Sequence, residues 1–197
     1  MGSMNYIIPR ETMTLSDQLE YRRNAVKRGY QRAIDKAIGD RADLMEVLAP
    51  GSKKPKAQSV DVREFQPILD AGAALDQWNT AALAVVGNAY SCFQAIAAPV
   101  LAANKLAVFY RVQIETVPLP VSRLIFRSGA AAGNILAEFD LEQLACEQVM
   151  VGYFSEPVVI DPTTTFAVQV LARIATGVLA RVQLGALIFE PAGSLIA

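Results

Sequence analysis

A chain of 197 residues is long enough for one good-sized domain, and at 53% hydrophobic and 19% charged residues it is too apolar to be disordered overall. It contains no histidine, which excludes Ser-His-Asp and Cys-His catalysis, His-ligated zinc and any imidazole pH switch. The net charge of −1 hides an asymmetry: residues 1–56 hold eleven Lys/Arg against seven Asp/Glu and the remainder seven against twelve, so a basic first quarter (+4) joins an acidic body (−5).

Tyr6-Ile7-Ile8-Pro9 reads as extended chain, and residues 1–11 lack the charged-then-apolar pattern of a secretory signal. Thr14 or Ser16 can cap a helix that runs to Ile38, with Asp17 and Glu20 in its first turns. Leu15, Leu19, Val26, Tyr30, Ala33, Ile34, Ala37 and Ile38 recur at three- and four-residue spacing as one apolar stripe. Arg28, Arg32 and Lys36 are expected on the opposite side, and Gly39 ends the helix. A second short helix is predicted over Asp40–Leu48. Gly51-Ser52-Lys53-Lys54-Pro55-Lys56 then reads as a linker, dividing a helical arm (1–56) from a β domain (57–197).

From Gln77 to Asn104 no residue is charged, and Ala81–Leu101 is long enough to span a bilayer. Asn88, Ser91, Gln94 and Pro99 lie near its middle, where a lone spanning helix would leave polar groups in lipid, so a buried core segment is expected and a membrane is not an expected partner. Two strands, Val60–Gln66 and Ala89–Ile96, compete here with one helix over Ala73–Ala95, because alanine is indifferent to period. Beyond residue 105 the pattern is of strands and turns: 106–115, the turn Val117-Pro118-Leu119-Pro120, then 121–127, 134–141, 149–154 with 158–160 interrupted at Glu156-Pro157, 166–174 and 178–189. With no long helix among them, these predict a mainly β chain, an antiparallel jelly-roll-like sandwich with a helical N-terminal arm.

Candidate chemistry is sparse. There is no phosphate-binding loop, and Gly129–Gly133 reads as a flexible β-turn. Cys92 and Cys146 read as small buried hydrophobes. Glu138, Asp140 and Glu142 alternate along one strand face, as paired carboxylates of a glycosidase or calcium site would, or as a solvated outer face would. Trp78 reads as a core or interface anchor. The basic residues Arg22, Arg23, Lys27, Arg28, Arg32 and Lys36 fit a protein interface, a phosphate backbone or a solvated helix face. Only Tyr21 and Tyr30 interleave them for base stacking, so nucleic acid is not the expected partner. Neither an enzyme nor a cofactor is expected.

The runs Phe109-Tyr110-Arg111-Val112, Val121–Gly129, Gly152–Ile160 and Gly185–Pro191 resemble the jelly-roll domains of tailed-bacteriophage virion proteins of the cement or decoration type, over roughly residues 85–192. The resemblance implies a non-enzymatic protein at the capsid surface that binds the major capsid protein and its own copies, a trimer being favoured. It leaves residues 1–56 without a counterpart and carries over no active-site residues. On this reading Leu19, Val26, Tyr30, Arg28, Arg32 and Lys36 form a partner interface, and the arm is needed for assembly but dispensable for folding. The alternative is a carbohydrate-binding jelly roll used for host attachment, which would want exposed aromatics such as Tyr153 and Trp78 beside carboxylates.

Overall fold

The computed structural model describes residues 5–36, 60–73, 78–93, 98–130, 132–146 and 150–191. The second helix predicted over 40–48, Gly39 and the linker at 51–56 lie outside these. So do Ala37 and Ile38 of the predicted stripe.

The described chain is mainly antiparallel β, in two packed sheets with one long helix near the N-terminus. The strands are β1 (Ile7–Pro9), β2 (Val60–Glu64), β3 (Asn79–Ala82), β4 (Ala89–Ser91), β5 (Leu106–Ile114), β6 (Val121–Ser128), β7 (Asn134–Asp140), β8 (Val151–Ile160), β9 (Phe166–Ala172) and β10 (Leu179–Pro191). One sheet has the order β1-β8-β5-β10-β2, with β3 also on β10; the other is β4-β9-β6-β7. From β5 onward the chain crosses between sheets at nearly every connection, only the β6–β7 hairpin staying within one.

Alternation sets which faces meet. On β9 the sequence alternates Phe166, Val168 and Val170 with Ala167, Gln169 and Leu171, and the first set turns into the space between the sheets. All eight phenylalanines are buried. Seven lie in this inter-sheet core, where Phe109 and Phe126 approach to 5.1 Å between ring centroids and Phe139 stacks on Phe154 at 4.2 Å. Trp78 belongs to the same core, 4.9 Å from Phe93. Cys92 is fully buried there, and burial pushes its thiol pKa up, which makes it inert at neutral pH.

The structure corrects three predicted elements. The long helix that competed for 73–95 does not form: β3 and β4 occupy part of that stretch, and no described helix is long and apolar enough to cross a membrane. The two strands predicted around Glu156-Pro157 are one. Proline is tolerated because the ladder to β5 breaks at that point, the register jumping from Arg111↔Tyr153 to Phe109↔Val158. Helix α2 (Pro67–Ala71) stands where the sequence suggested only strand and coil. Pro67 opens it and Gly72, at φ 65°, closes it in the left-handed conformation that glycine adopts without steric cost.

Helix α1 (Leu15–Asp35) begins as predicted. The Thr14 hydroxyl accepts from the Asp17 N–H and the Asp17 carboxylate accepts from the Thr14 N–H, a reciprocal cap. The Thr14 hydroxyl also donates to the Asp17 carboxylate at 2.7 Å, and this bond, with that from the Thr14 N–H, holds the Asp17 carboxyl below its ordinary pKa.

Candidate functional site

Helix α1 lies across the outer face of the larger sheet, over β5, β8 and β10. A second apolar cluster forms between them: Ala25 and Ala33 from the helix, Leu106, Val108 and Tyr110 from β5, Tyr153 from β8, and Leu187 and Phe189 from β10. Both faces of β5 and β10 are therefore covered at these residues, which explains why Leu106–Tyr110 and Leu187–Phe189 are unbroken apolar runs instead of alternating ones.

The helix can come this close because the residues facing the sheet are small. Ala25, Gly29 and Ala33 are its buried positions, and a Cβ on Gly29 would overlap the ring of Phe189. Gly29→Leu is therefore expected to lift α1 from the sheet. Overpacking costs about 1–3 kcal/mol, here near the upper end because Phe189 is enclosed, and this outweighs the ~1 kcal/mol gained by removing a helix-interior glycine. Amide exchange should accelerate in α1 while β6 and β9 stay protected; urea unfolding measures the loss.

This packing corrects the predicted faces of the helix. Of the residues read as its core stripe, Ala33 is buried against the sheet and Val26 is half-buried against the same cluster, while Leu15, Leu19, Tyr30 and Ile34 are exposed. Tyr30 touches the sheet only at its border, edge-on to Phe189 at 5.4 Å. Nor are Arg28, Arg32 and Lys36 on a free opposite side. Arg32 makes a two-pronged contact with Asp161 (Nε–Oδ1 2.8 Å, Nη2–Oδ2 2.7 Å), Lys36 meets the same carboxylate at 3.0 Å, and Arg28 lies 3.5 Å from Glu156. At the other end of the helix Arg22 reaches Glu64 of β2 at 3.2 Å. Small residues bring the helix down and the longer basic ones flank it, reaching carboxylates at the border of the contact. Half-exposed pairs of this kind contribute about 0.2–1 kcal/mol each.

A groove of about 530 Å³ opens between α1, the second half of β8 and the start of β7. Its floor is apolar, with Leu136, Ala137, Pro157 and Val158, and its rim carries Arg28, Arg32, Asp35, Glu156 and Asp161. Opposite charges on the rim largely satisfy each other. The lining has no hydroxyl, thiol or amine, and of its carboxylates Asp161 is paired with Arg32 and Lys36 and Glu156 with Arg28.

A second charged constellation was not anticipated. Arg63 of β2 donates to both Asp70 oxygens at 2.6 Å and to Glu190 of β10 at 2.7 Å; Lys105 reaches Asp70 at 3.1 Å and Glu190 at 3.4 Å. Both carboxylates are buried. Burial alone would raise their pKa values, but the bonds from Arg63, the Gln66 N–H and Lys105 hold Asp70 below its ordinary value, and Arg63 and Lys105 do the same for Glu190. Arg63 and Asp70 are seven residues apart, but Lys105 and Glu190 are remote from them and from each other, and none belongs to a motif, so no local signal announces the cluster. With two cations on two anions the cluster is saturated and fits a clamp joining β2, α2, β10 and the approach to β5.

The carboxylates predicted to share a face do so only in part. Glu138 pairs with Arg123 at 2.8 Å; Glu142 lies past the end of β7, its N–H donating to Asp140 at 2.8 Å. Among the described residues no group of acidic, Cys or His side chains could hold a metal ion.

A pH dependence follows. Asp70, Asp161 and Glu190 are all held below their ordinary pKa values in the folded chain. Their stabilisation is thus complete above the unfolded carboxylate range and lost as pH falls through it toward the folded values. Without histidine, the urea midpoint should stay flat from about pH 8 to 5 and fall steeply below about pH 4. A midpoint that held constant down to pH 3 would show the three carboxylates to be unimportant.

No protein-family model, curated protein or solved structure matches this chain.

Proposed function

We propose that this chain is a non-enzymatic structural protein of a virus particle, a jelly roll at the capsid surface that binds and stabilises the lattice as a cement, decoration or minor capsid protein. The observation that carries the reading is the strand order. With β1 and β3 set aside as additions, the sheets read β2-β10-β5-β8 and β4-β9-β6-β7, four strands each, filled by a chain that keeps crossing between them. That order supports a double Greek key, an architecture shared by viral capsid proteins and lectins. The partners on this reading are the major capsid protein and further copies of the chain, with a trimer favoured, and no cofactor is required.

The carbohydrate-binding alternative on the same architecture needs exposed rings beside carboxylates. Tyr153 and Trp78, the rings it would use, are 6% and 8% exposed, which favours assembly over glycan binding. An antibody against the chain should label intact purified particles, and the chain should co-sediment with the major capsid protein through a density gradient. Absence from the particle, together with retention on a glycan column and elution by free sugar, would overturn the assembly reading in favour of the alternative.

A further inference from the structure

Two surfaces of the sandwich complement each other and lie on opposite sides of it. The first is the outer flank of α1. Leu19 (49% exposed) and Tyr30 (41%) stand there with Leu15 and Ile34, and a shallow groove of about 300 Å³ runs along Leu19, Val26, Arg23 and Lys27. Lys27 makes no ion pair among the described residues, and Arg23 has only a long 3.9 Å contact to Glu20 on its own helix. The flank is thus apolar with a cationic middle. It faces the β10–β2 side, as Arg22–Glu64 and Tyr30–Phe189 show.

The second surface is β7, the open edge of the four-stranded sheet. Ile135 (51%) and Leu136 (46%) are exposed side by side on it. Asp140 and Glu142 follow, both exposed and neither paired with a cation among the described residues. An unpaired strand edge carrying apolar side chains is a surface that proteins ordinarily cover. It lies beyond β8, across the molecule from the α1 flank, because the large groove joins Leu136 to the Arg28 side of the helix.

Pairing the α1 flank with itself about a two-fold axis would set Arg23 and Lys27 against their own mates. The β7 edge supplies the opposite charge. We propose that copies of this chain associate head to tail, the apolar flank of α1 in one copy covering the β7 edge of the next, with Arg23 and Lys27 against Asp140 and Glu142. Because the two patches differ, the contact is heterologous: it closes into a ring where the rotation permits and otherwise propagates. The inference deepens the assembly reading and rests on it for its purpose, but the contact forms between purified chains.

Sedimentation velocity on the full chain tests it. The unaltered protein should self-associate, while Arg23→Glu with Lys27→Glu, and separately Asp140→Lys with Glu142→Lys, should each weaken association more than about tenfold. An equimolar mixture of the two double variants sets the unaltered flank of one against the unaltered edge of the other, and the two charge-reversed surfaces against each other, so it should associate again where each variant alone does not. A chain carrying all four changes should associate again. All four positions are exposed, so far-UV circular dichroism melts should match the parent, and the four-change chain guards against any variant that does not. A monomeric parent, an unweakened double variant, or a mixture that fails to associate would each overturn the proposal. Association that holds while the antibody finds no particle would overturn the virion reading alone.

Discussion

A chain beginning at residue 57 is expected to be insoluble, or soluble only as aggregates that bind ANS. The deletion removes α1 and β1, and with them the cover over Leu106, Val108, Tyr110, Tyr153, Leu187 and Phe189. Fully burying one large apolar side chain contributes about 1.5–3 kcal/mol. Half that benefit over six residues is roughly 5–9 kcal/mol, comparable with the whole stability of a typical domain at about 5–15 kcal/mol. The surface left behind would also be a contiguous apolar patch on a sheet, an aggregation liability. This revises the expectation, drawn from the linker, that the arm is dispensable for folding. Light scattering and ANS fluorescence on the purified fragment decide it. A monodisperse, β-rich fragment with no ANS signal would show that the helix is a removable cover, and the arm could then serve a neighbour instead.

Arg63→Met should be the most damaging single substitution among the charged residues. Arg63 is the one group that bonds Asp70 and Glu190 through three nitrogens, and without it two buried carboxylates share one ammonium, Lys105. Breaking a buried ion pair from one side costs about 3–5 kcal/mol, which at about 2–4 °C per kcal/mol for a chain of this size lowers Tm by roughly 6–20 °C. The cause is an uncompensated buried charge, so the deficit should shrink at pH 3, where the orphaned carboxylates take up protons. Replacing all four members with apolar residues of similar volume should cost far less than the single change. If Arg63→Met melts within about 2 °C of the parent at pH 7, the cluster is not a clamp.

The sandwich is legible where large apolar residues alternate with small or polar ones along a strand. On β6 and β9 the alternation marks both the strand and its inward residues, since a one-residue slip would take Phe166, Val168 and Val170 out of the inter-sheet core and put Ala167, Gln169 and Leu171 in their place. It was less legible where a second layer intervenes. Leu106–Tyr110 and Leu187–Phe189 do announce a cover in their unbroken apolar runs, but nothing in them says what the cover is. The helix concealed its role because its seat is Ala25, Gly29 and Ala33, residues that a search for large apolar side chains ranks below Leu19, Tyr30 and Ile34. The large residues of the stripe point to the flank, and of the seat only Ala33 belongs to it. The sequence shows Arg28, Arg32 and Lys36 as a basic row open to a partner or to solvent, and hides the carboxylates they meet because Glu156 and Asp161 lie more than a hundred residues along the chain.

The placement of β10 has a consequence for how the protein is made. This strand sits in the interior of the larger sheet, between β5 and β2, and β3 pairs with it as well. It is also the last described strand to leave the ribosome. Until it emerges, β2 and β5 have no partner between them, Arg63 and Asp70 wait for Glu190, and Gly29 has no Phe189 to seat against. Nascent chains therefore carry the apolar faces of the earlier strands unpaired for most of their synthesis, and the sheet closes late through contacts of long sequence separation, which form slowly. Chaperone demand during translation should consequently be high, and ribosome-stalled chains ending before residue 179 should remain protease-sensitive throughout, with no protected sub-domain.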